Sequence, residues 1–424
     1  MGLNGRSIAS LIEEILGPDL PVEFRGYDGS RSGPVDAPAA IVVRSPDAMR
    51  RIVTAPGELG FGRAYVAGDL DVEGDIFAAL GLRDQLPAFS LSRDQWLAAF
   101  KLVGIGSLRP LPPPPEEARL RGRRHSKARD AAAIAHHYDL SNDFYRIVLG
   151  PSLTYSCAVW TDDTDTLATA QANKHELISR KLDLQPGMRL LDIGCGWGGM
   201  LLHAAEHHGV EAIGVTLSRR QAELAEKRIA EAGLSDRVQV RLQDYRDVVD
   251  GPFDAISSIG MFEHVGLEQL EVYFNRCHAL LAPGGRLLNH GISRPWKRNR
   301  LVRRPARFAR RGFIDSYVFP DGELHEVGSV VTAIQRTGLE ARHLESLREH
   351  YALTLRAWVH NLESRWSEAV AEVGAARARV WRLYMAASAV GFERGDNQIH
   401  HVLAVKPDGG RSGLPLRPRF DAAV

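Results

Sequence analysis

The sequence predicts an α/β protein whose larger, carboxyl-terminal part is a mostly parallel sheet covered by helices, preceded by a smaller α+β unit. Three observations carry this. From about residue 188, short apolar runs alternate with amphipathic stretches, the pattern of a parallel sheet buried on both faces. A glycine-rich turn, Asp192 to Gly198, joins the first of these runs to the stretch after it. Four prolines, Pro112 to Pro115, stand before the pattern, and consecutive prolines favour an extended spacer over helix or sheet.

The elements follow in order. Met1 to Leu20 is interrupted by Glu13, Glu14 and Asp19, so it lacks the apolar core of a signal peptide. Extended stretches are expected at Val22 to Tyr27 and Ala40 to Arg44. A helix follows, with Ser45 as its cap and Pro46 at its first position. Gly57 to Asp71 is punctuated by glycine and reads as turns around a short helix. After the prolines come Arg119, Arg121, Arg123, Arg124, Lys127 and Arg129, either a solvated linker face or a surface for anionic lipid. Strands are expected at Arg189 to Ile193, Glu211 to Thr216, Val238 to Leu242, Phe253 to Ser258 and Gly285 to His290. Helices fit at Gly198 to His208, Ser218 to Ala232 and Leu267 to Leu281. A helix from about Ala352 to Val373 and a strand from Gln398 to Lys406 complete the layer. The division is therefore an accessory domain at 1–110, a linker at 111–130, the larger domain at 131–406 and a loose tail at 407–424.

Composition narrows the function. Lysine and arginine number 53 against 52 aspartates and glutamates, which removes the case for a globally basic nucleic-acid binder. Cys157, Cys195 and Cys277 are widely spaced and odd in number, fitting neither a disulfide framework nor a zinc site. No metal is expected, and a reducing cytoplasm is the default location. No window reaches the roughly eighteen apolar residues of a membrane span, so membrane contact is expected to be peripheral, at the inner face.

The turn Leu190-Leu191-Asp192-Ile193-Gly194-Cys195-Gly196-Trp197-Gly198-Gly199 lets the backbone bend sharply and a ligand approach closely. Dinucleotide sites expect G-x-G-x-x-G and an acidic residue at the end of the second strand. Here the spacing is G-x-G-x-G, and the second strand ends in Gly214-Val215-Thr216-Leu217-Ser218 without an acid. NAD is the minority reading.

Leu-Asp-Ile-Gly-Cys-Gly-Trp-Gly resembles motif I of class I methyltransferases, whose sheet is Rossmann-like and seven-stranded. Val-Thr-Leu-Ser followed by Gln221 resembles the second-strand motif of the cyclopropane fatty acid synthase family. Further blocks are similar to that family: Ile134 to Tyr145 around Tyr138, Thr154 to Ala158, Gly260 to Gly266, Leu288 to Ile292, Tyr317 to Leu324, His350 to Leu355 with Trp358, and Phe392 to Gly395. The resemblance runs from about residue 125 to 405 and includes the mycolic acid cyclopropane synthases.

The resemblance implies S-adenosylmethionine as methyl donor. Tyr155, Ser156, Asp192, Gly194, Gly196, Thr216, Leu217, Gln221, Tyr245 and Arg246 are the implied cofactor residues. It implies a bicarbonate ion held by Cys157, Glu263, His290, Ile292 and Tyr351. Its acceptors are unsaturated acyl chains of membrane phospholipids, methylenated at a cis double bond to give a cyclopropane. A held base is needed because the alkene, once methylated, is a cation that must lose a proton away from water. Some relatives make a methylene branch instead, which a separate reductase converts to a methyl branch. No residue decides between the two products. Gly291 stands where the family commonly has threonine. A non-catalytic lipid- or cofactor-binding module is the alternative of another class, disfavoured because Cys157, Glu263 and Tyr351 are all retained. Nucleic acid is not expected as a substrate, because Ser257-Ser258-Ile259-Gly260 replaces the Asp/Asn-Pro-Pro-Tyr/Phe signature of base methylation.

A second basic segment, Arg294 to Arg311, has Leu301, Val302, Phe308 and, just past its end, Phe313 interleaved as exposed-looking apolar residues. This suits an anionic membrane surface, against a solvated loop or RNA. The first domain can face lipid, form a homodimer or steady the catalytic domain, and the sequence does not rank these roles.

Overall fold

The computed structural model describes residues 7–17, 19–85, 109–118, 129, 140–295, 312–320 and 322–420. The chain divides into two compact units, and the division is discontinuous. The first comprises Met1–Arg119, Arg303–Pro320 and Arg365–Val390, and the second Leu120–Val302, Asp321–Ser364 and Gly391–Val424. A contiguous split at the prolines was expected. Two later segments instead belong with the amino-terminal one.

In the first unit, helix α1 (Ile8–Leu16) precedes strands β1 (Glu23–Arg25), β2 (Arg31–Ser32) and β3 (Ala39–Val43). Helix α2 (Pro46–Thr54) is capped by the Ser45 side chain with Pro46 at its start, the arrangement expected from sequence. The glycine-punctuated stretch is not mainly turns. It forms the helix α3 (Glu58–Ala67), strand β4 (Leu70–Gly74) and then helix α4 (Ile76–Gln85). Two of its glycines serve packing: a Cβ at Gly60 would overlap the Ala55 carbonyl, and one at Gly62 the Phe313 ring, so that Phe313, expected to be exposed beside the second basic segment, is instead buried. Only Gly68, at φ +79°, ends the helix in the left-handed region that favours glycine. The four strands form one sheet in the order β2-β1-β3-β4. Segment 365–390 is tied in by buried charge: Arg379 donates to the Leu70 carbonyl and Asp71, and Arg382 to Tyr65 Oη and the Val72 and Gly74 carbonyls.

The second unit is built on a seven-stranded sheet. Helices α5 (Asn142–Leu149) and α6 (Leu167–Leu182) lead to β5 (Arg189–Ile193), α7 (Gly199–His208), β6 (Glu211–Thr216), α8 (Arg219–Glu231), β7 (Val238–Leu242) and β8 (Phe253–Ile259). Then come α9 (Leu270–Leu280), β9 (Leu281–Ser293), α10 (Val327–Arg336), β10 (Glu340–Ser346), α11 (Arg348–Ser364) and β11 (Gln398–Val405). The strand order is β10-β11-β9-β8-β5-β6-β7. The five strands β5 to β9 run parallel, and β11 is antiparallel to both β9 and β10.

Strands buried on both faces read as mainly apolar runs, which is how β5 and β6 show in the sequence, whereas the edge strand β7 shows by alternation, with Val238 and Val240 buried and Gln239 exposed. β9 is longer than expected because it pairs with β11 from Arg286 to Ser293. The helix expected at Ala352 to Val373 is two helices, broken at Arg365 (φ −121°, ψ 34°). Successive strand residues face opposite ways. Leu191, Ile256 and Leu287 join Phe274 and Ile334 in one core, while Leu190, Ala255 and Leu288 join Ile178, Leu201 and Ile229 in the other. The segment past Pro407, expected to be loose, packs Leu414 and Phe420 against this second core. Tyr138, the basic run through Lys127 and residues 296–311 lie outside the described residues.

Candidate active site

The chain leaves β5 for β6 and β7 on one side and returns to β8 and β9 on the other. Ligands of open α/β sheets sit at the strands' carboxyl ends where such a reversal occurs. A cleft opens there. All ten residues assigned to the cofactor line it: Tyr155, Ser156, Asp192, Gly194, Gly196, Thr216, Leu217, Gln221, Tyr245 and Arg246.

Its floor is the glycine turn. Gly194, Gly196 and Gly198 have φ of +81°, +54° and +77°, a region costly for residues with a Cβ. The turn is pinned where the Gly194 and Cys195 amides both donate to the Val215 carbonyl, at 2.9 and 3.1 Å. A Cβ on Gly194 would lie 2.9 Å from the Met261 side chain, whereas one on Gly196 would meet nothing within 4 Å. Gly196 thus leaves room in the cleft. Asp192 is buried at the strand end and accepts from Ser257 Oγ at 2.6 Å. Burial pushes its carboxyl up to about 6, opposed by that bond and by Lys174. Thr216 Oγ1 donates to Gln221 Oε1 at 2.8 Å, and Ser218 caps α8. At the far wall Asp244 holds Arg246 through its amide and guanidinium, and the Tyr245 ring meets Tyr273 edge-on at 5.0 Å.

None of the five residues assigned to bicarbonate lines that cleft's surface, yet contacts link them. Glu263 Oε1 accepts from the Ile292 amide at 2.7 Å, and His290 lies two residues earlier on β9. The Ile292 register partner on β11 is Ile399, whose carbonyl accepts from Leu347. The Leu347 carbonyl in turn accepts from the Tyr351 amide and from Cys157 Sγ. Tyr351 packs against Phe392 and Trp358, and Trp358 against Tyr155 of the cleft. All five residues therefore flank the cofactor cleft on the β9–β11 side.

Two buried atoms in this set have no partner among the described residues, Glu263 Oε2 and His290 Nε2. An orphaned buried polar atom costs about 1–3 kcal/mol, so such a pair marks a place for a ligand. Burial raises the Glu263 carboxyl to about 7 and pushes the Cys157 thiol up, so neither group is a resident anion by preference. Gly291 is explained by its neighbour: a Cβ there would overlap the Phe262 ring.

Lys174 escaped the sequence reading. It is fully buried on α6, donates to Ser156 Oγ at 2.9 Å, and is pushed down to about 7 by burial against the opposing charges of Cys157 and Asp192. The signal was present as a polar stripe, Gln171, Lys174 and His175, on the buried face of an amphipathic helix. His401 on β11 and Lys181 on α6, fully buried beside His290, also escaped the sequence reading.

The profile of the family described as mycolic acid cyclopropane synthetase matches residues 125–402. The chain belongs to that family. It is also 50% identical over 410 residues to a probable fatty acid methyltransferase of Mycobacterium tuberculosis, covering 94% of each chain. With the cyclopropane-fatty-acyl-phospholipid synthase of Escherichia coli it shares 35% over 373 residues, 87% of this chain and 88% of that one. Among solved structures, the mycolic acid cyclopropane synthase CmaA1 complexed with SAH and CTAB superposes with a TM-score of 0.61 at 35% identity, covering 65% of this chain and 98% of the other. This cyclopropane synthetase homologue is an S-adenosylmethionine-dependent methyltransferase. Among its described residues no helix is long and apolar enough to cross a membrane.

Proposed function

We propose that the protein transfers the methyl carbon of S-adenosylmethionine to the cis double bond of an unsaturated phospholipid acyl chain and closes a cyclopropane ring. The observation that carries this reading is the orphaned pair, Glu263 Oε2 and His290 Nε2, beside a cleft built for the donor. S-Adenosylmethionine supplies an electrophilic methyl: the alkene π pair forms the new C–C bond, the S–CH3 bond breaks towards sulfur, and S-adenosylhomocysteine departs. The cation left on the acyl chain must then lose a proton from the added methyl, and the C–H pair closes the ring.

The chain's own residues fit bicarbonate as the proton acceptor. Glu263 Oε2 suits its hydroxyl, and a protonated His290 Nε2 suits its oxyanion, with Cys157, the Ile292 backbone and Tyr351 completing the cradle. Bicarbonate would supply a base of modest strength where no side chain offers one. Tyr351 and Trp358, packed edge-to-face and buried, present aromatic surface that stabilises passing positive charge and keeps water from trapping it.

A second reading has its own support. The relative at 50% identity is named a fatty acid methyltransferase, and loss of a proton elsewhere after a hydride shift gives a methylene branch from the same cation. One experiment tests both. In a host lacking such an enzyme and fed oleate, expression should add one carbon unit to the acyl chains. Ring protons at high field mark the cyclopropane and a terminal-alkene signal marks the branch. No mass gain overturns the proposal. Access to membrane lipid is proposed through the two arginine-rich segments, and salt-insensitive or absent sedimentation with anionic vesicles overturns that part.

A further inference from the structure

Glu345, Lys181, His401 and His290 form a continuous line that runs from a half-exposed carboxylate inward to the orphaned His290 Nε2. Lys181 comes from α6. The other three are register neighbours across β10, β11 and β9, with Glu345 opposite His401 and His401 opposite His290. Lys181, His401 and His290 are fully buried, while the Glu345 side chain is 37% exposed at the outer end. Lys181 Nζ is bonded to the Glu345 carboxylate and lies 2.9 Å from His401 Nδ1. His401 Nε2 lies 2.6 Å from His290 Nδ1, and His290 Nε2 has no partner among the described residues.

The direction of every hydrogen bond in this line follows from its first member. An ammonium carries three protons and no lone pair, so His401 Nδ1 must accept from Lys181. A neutral His401 then holds its proton on Nε2 and donates it to His290 Nδ1. His290 is left with its own proton on Nε2. Burial holds both rings neutral, helped by the positive charge of Lys181 and Lys174.

We propose that Lys181 is a positioning residue which, through His401, locks His290 in the tautomer that presents Nε2–H as a donor to an anion in the site. The identity of that anion as bicarbonate rests on the proposed function, whereas the tautomer does not. Without the line, His290 could put its proton on Nδ1 and offer a lone pair to an oxyanion, which repels it. The second ring nitrogen sets the role of the first in the same way at other catalytic and metal-binding histidines.

The line is also sensitive to pH. The charged and titratable groups around it are Glu345 and His343 on β10, Lys174 and Lys181 on α6, and the two histidines. Burial lowers the Lys181 pKa and Glu345 opposes the shift. Once Lys181 loses its proton, the amine can accept, and the line can invert.

Two-bond 1H–15N spectra of the full-length protein labelled at its histidine nitrogens read this directly, with His290 identified by the signals lost in His290→Gln. The parent should show His290 with a bare Nδ1 and a protonated Nε2. Lys181→Met should move the proton to Nδ1 or average the two forms, and Lys181→Arg should restore the parent pattern. In turnover, Lys181→Met should lower kcat by about tenfold or more with KM for S-adenosylmethionine unchanged. A single Nε2–H tautomer persisting in Lys181→Met overturns the proposal. Should that variant fail to fold, Glu345→Gln at the accessible end carries the test: the tautomer should invert at a lower pH than in the parent, and an unmoved inversion overturns it. A parent that alkylates no lipid removes the proposed function but leaves the tautomer measurement standing, so the two failures are read apart.

Discussion

At Glu263 a carboxyl group is buried with one oxygen on the Ile292 amide and the other unpaired, and burial raises its pKa to about 7. A carboxyl raised in the folded state favours folding in its neutral form. That contribution is complete below the unfolded value of 4.5 and is lost as pH climbs through about 7. Glu263→Gln keeps the amide contact and cannot ionise. The ligand-free variant should therefore match its parent near pH 4 and exceed it above pH 7, by at most about 3 kcal/mol, while turnover falls by roughly a hundredfold or more. Urea titrations at the two pH values decide it, and equal stability at both would sink the assignment. Glu263 and His290 were legible as a set through their motifs, each being ordinary alone. Lys174 and Lys181 were not, since lysine is almost never fully buried without a partner and the partners, Ser156 Oγ and Glu345, lie on distant stretches of chain.

Among the elements, the turn between β5 and α7 separates two effects that glycine combines. Gly194 has both a positive φ and a crowded neighbour, Met261, while Gly196 has a positive φ and open space before it. Gly196→Ala should cost about 1 kcal/mol of stability and a larger share of affinity for S-adenosylhomocysteine, because the new methyl enters the cleft. Gly194→Ala should cost more stability, since Met261 must also shift. Thermal unfolding and calorimetric titration with S-adenosylhomocysteine check the pair. Equal loss in the two variants would mean that conformation alone governs the turn. The parallel strands were readable because the middles of β5 and β6 are buried on both faces, so Leu190, Leu191, Ala212, Ile213 and Val215 form apolar runs between polar ends. Strand β4 was hidden by glycines, Gly68 before it and Gly74 at its end, and the break at Arg365 falls within an unbroken amphipathic pattern that gives no signal of a stop.

For the molecule as a whole, the proline run looked like a border because sequence displays borders only along the chain. The first unit takes in segments 303–320 and 365–390 as well, and Arg379 and Arg382 find their acceptors at Tyr65 to Gly74. A chain started at residue 131 would leave both guanidinium groups without those partners, and Phe313 without the α3 backbone it covers at Gly62. Such a truncation should be recovered as aggregate or show no cooperative thermal transition. A soluble, cooperatively unfolding product would show that the catalytic unit needs nothing from the amino-terminal segment.

That same discontinuity sets an order of events during synthesis. Residues 1–119 leave the ribosome long before residues 365–390, so the β1–β4 sheet must wait, with Asp71 and the Val72 carbonyl uncovered, while most of the larger sheet is being made. Contacts this far apart along the chain form late and slowly, and an early, incomplete unit exposes apolar surface meanwhile. Translation that stalls before residue 390 leaves neither unit complete, because β11, the strand beside β9, also follows it. Nascent chains of increasing length should therefore gain protease resistance in one late step, after both the residue-390 boundary and β11 have emerged, and not in two steps separated at the prolines.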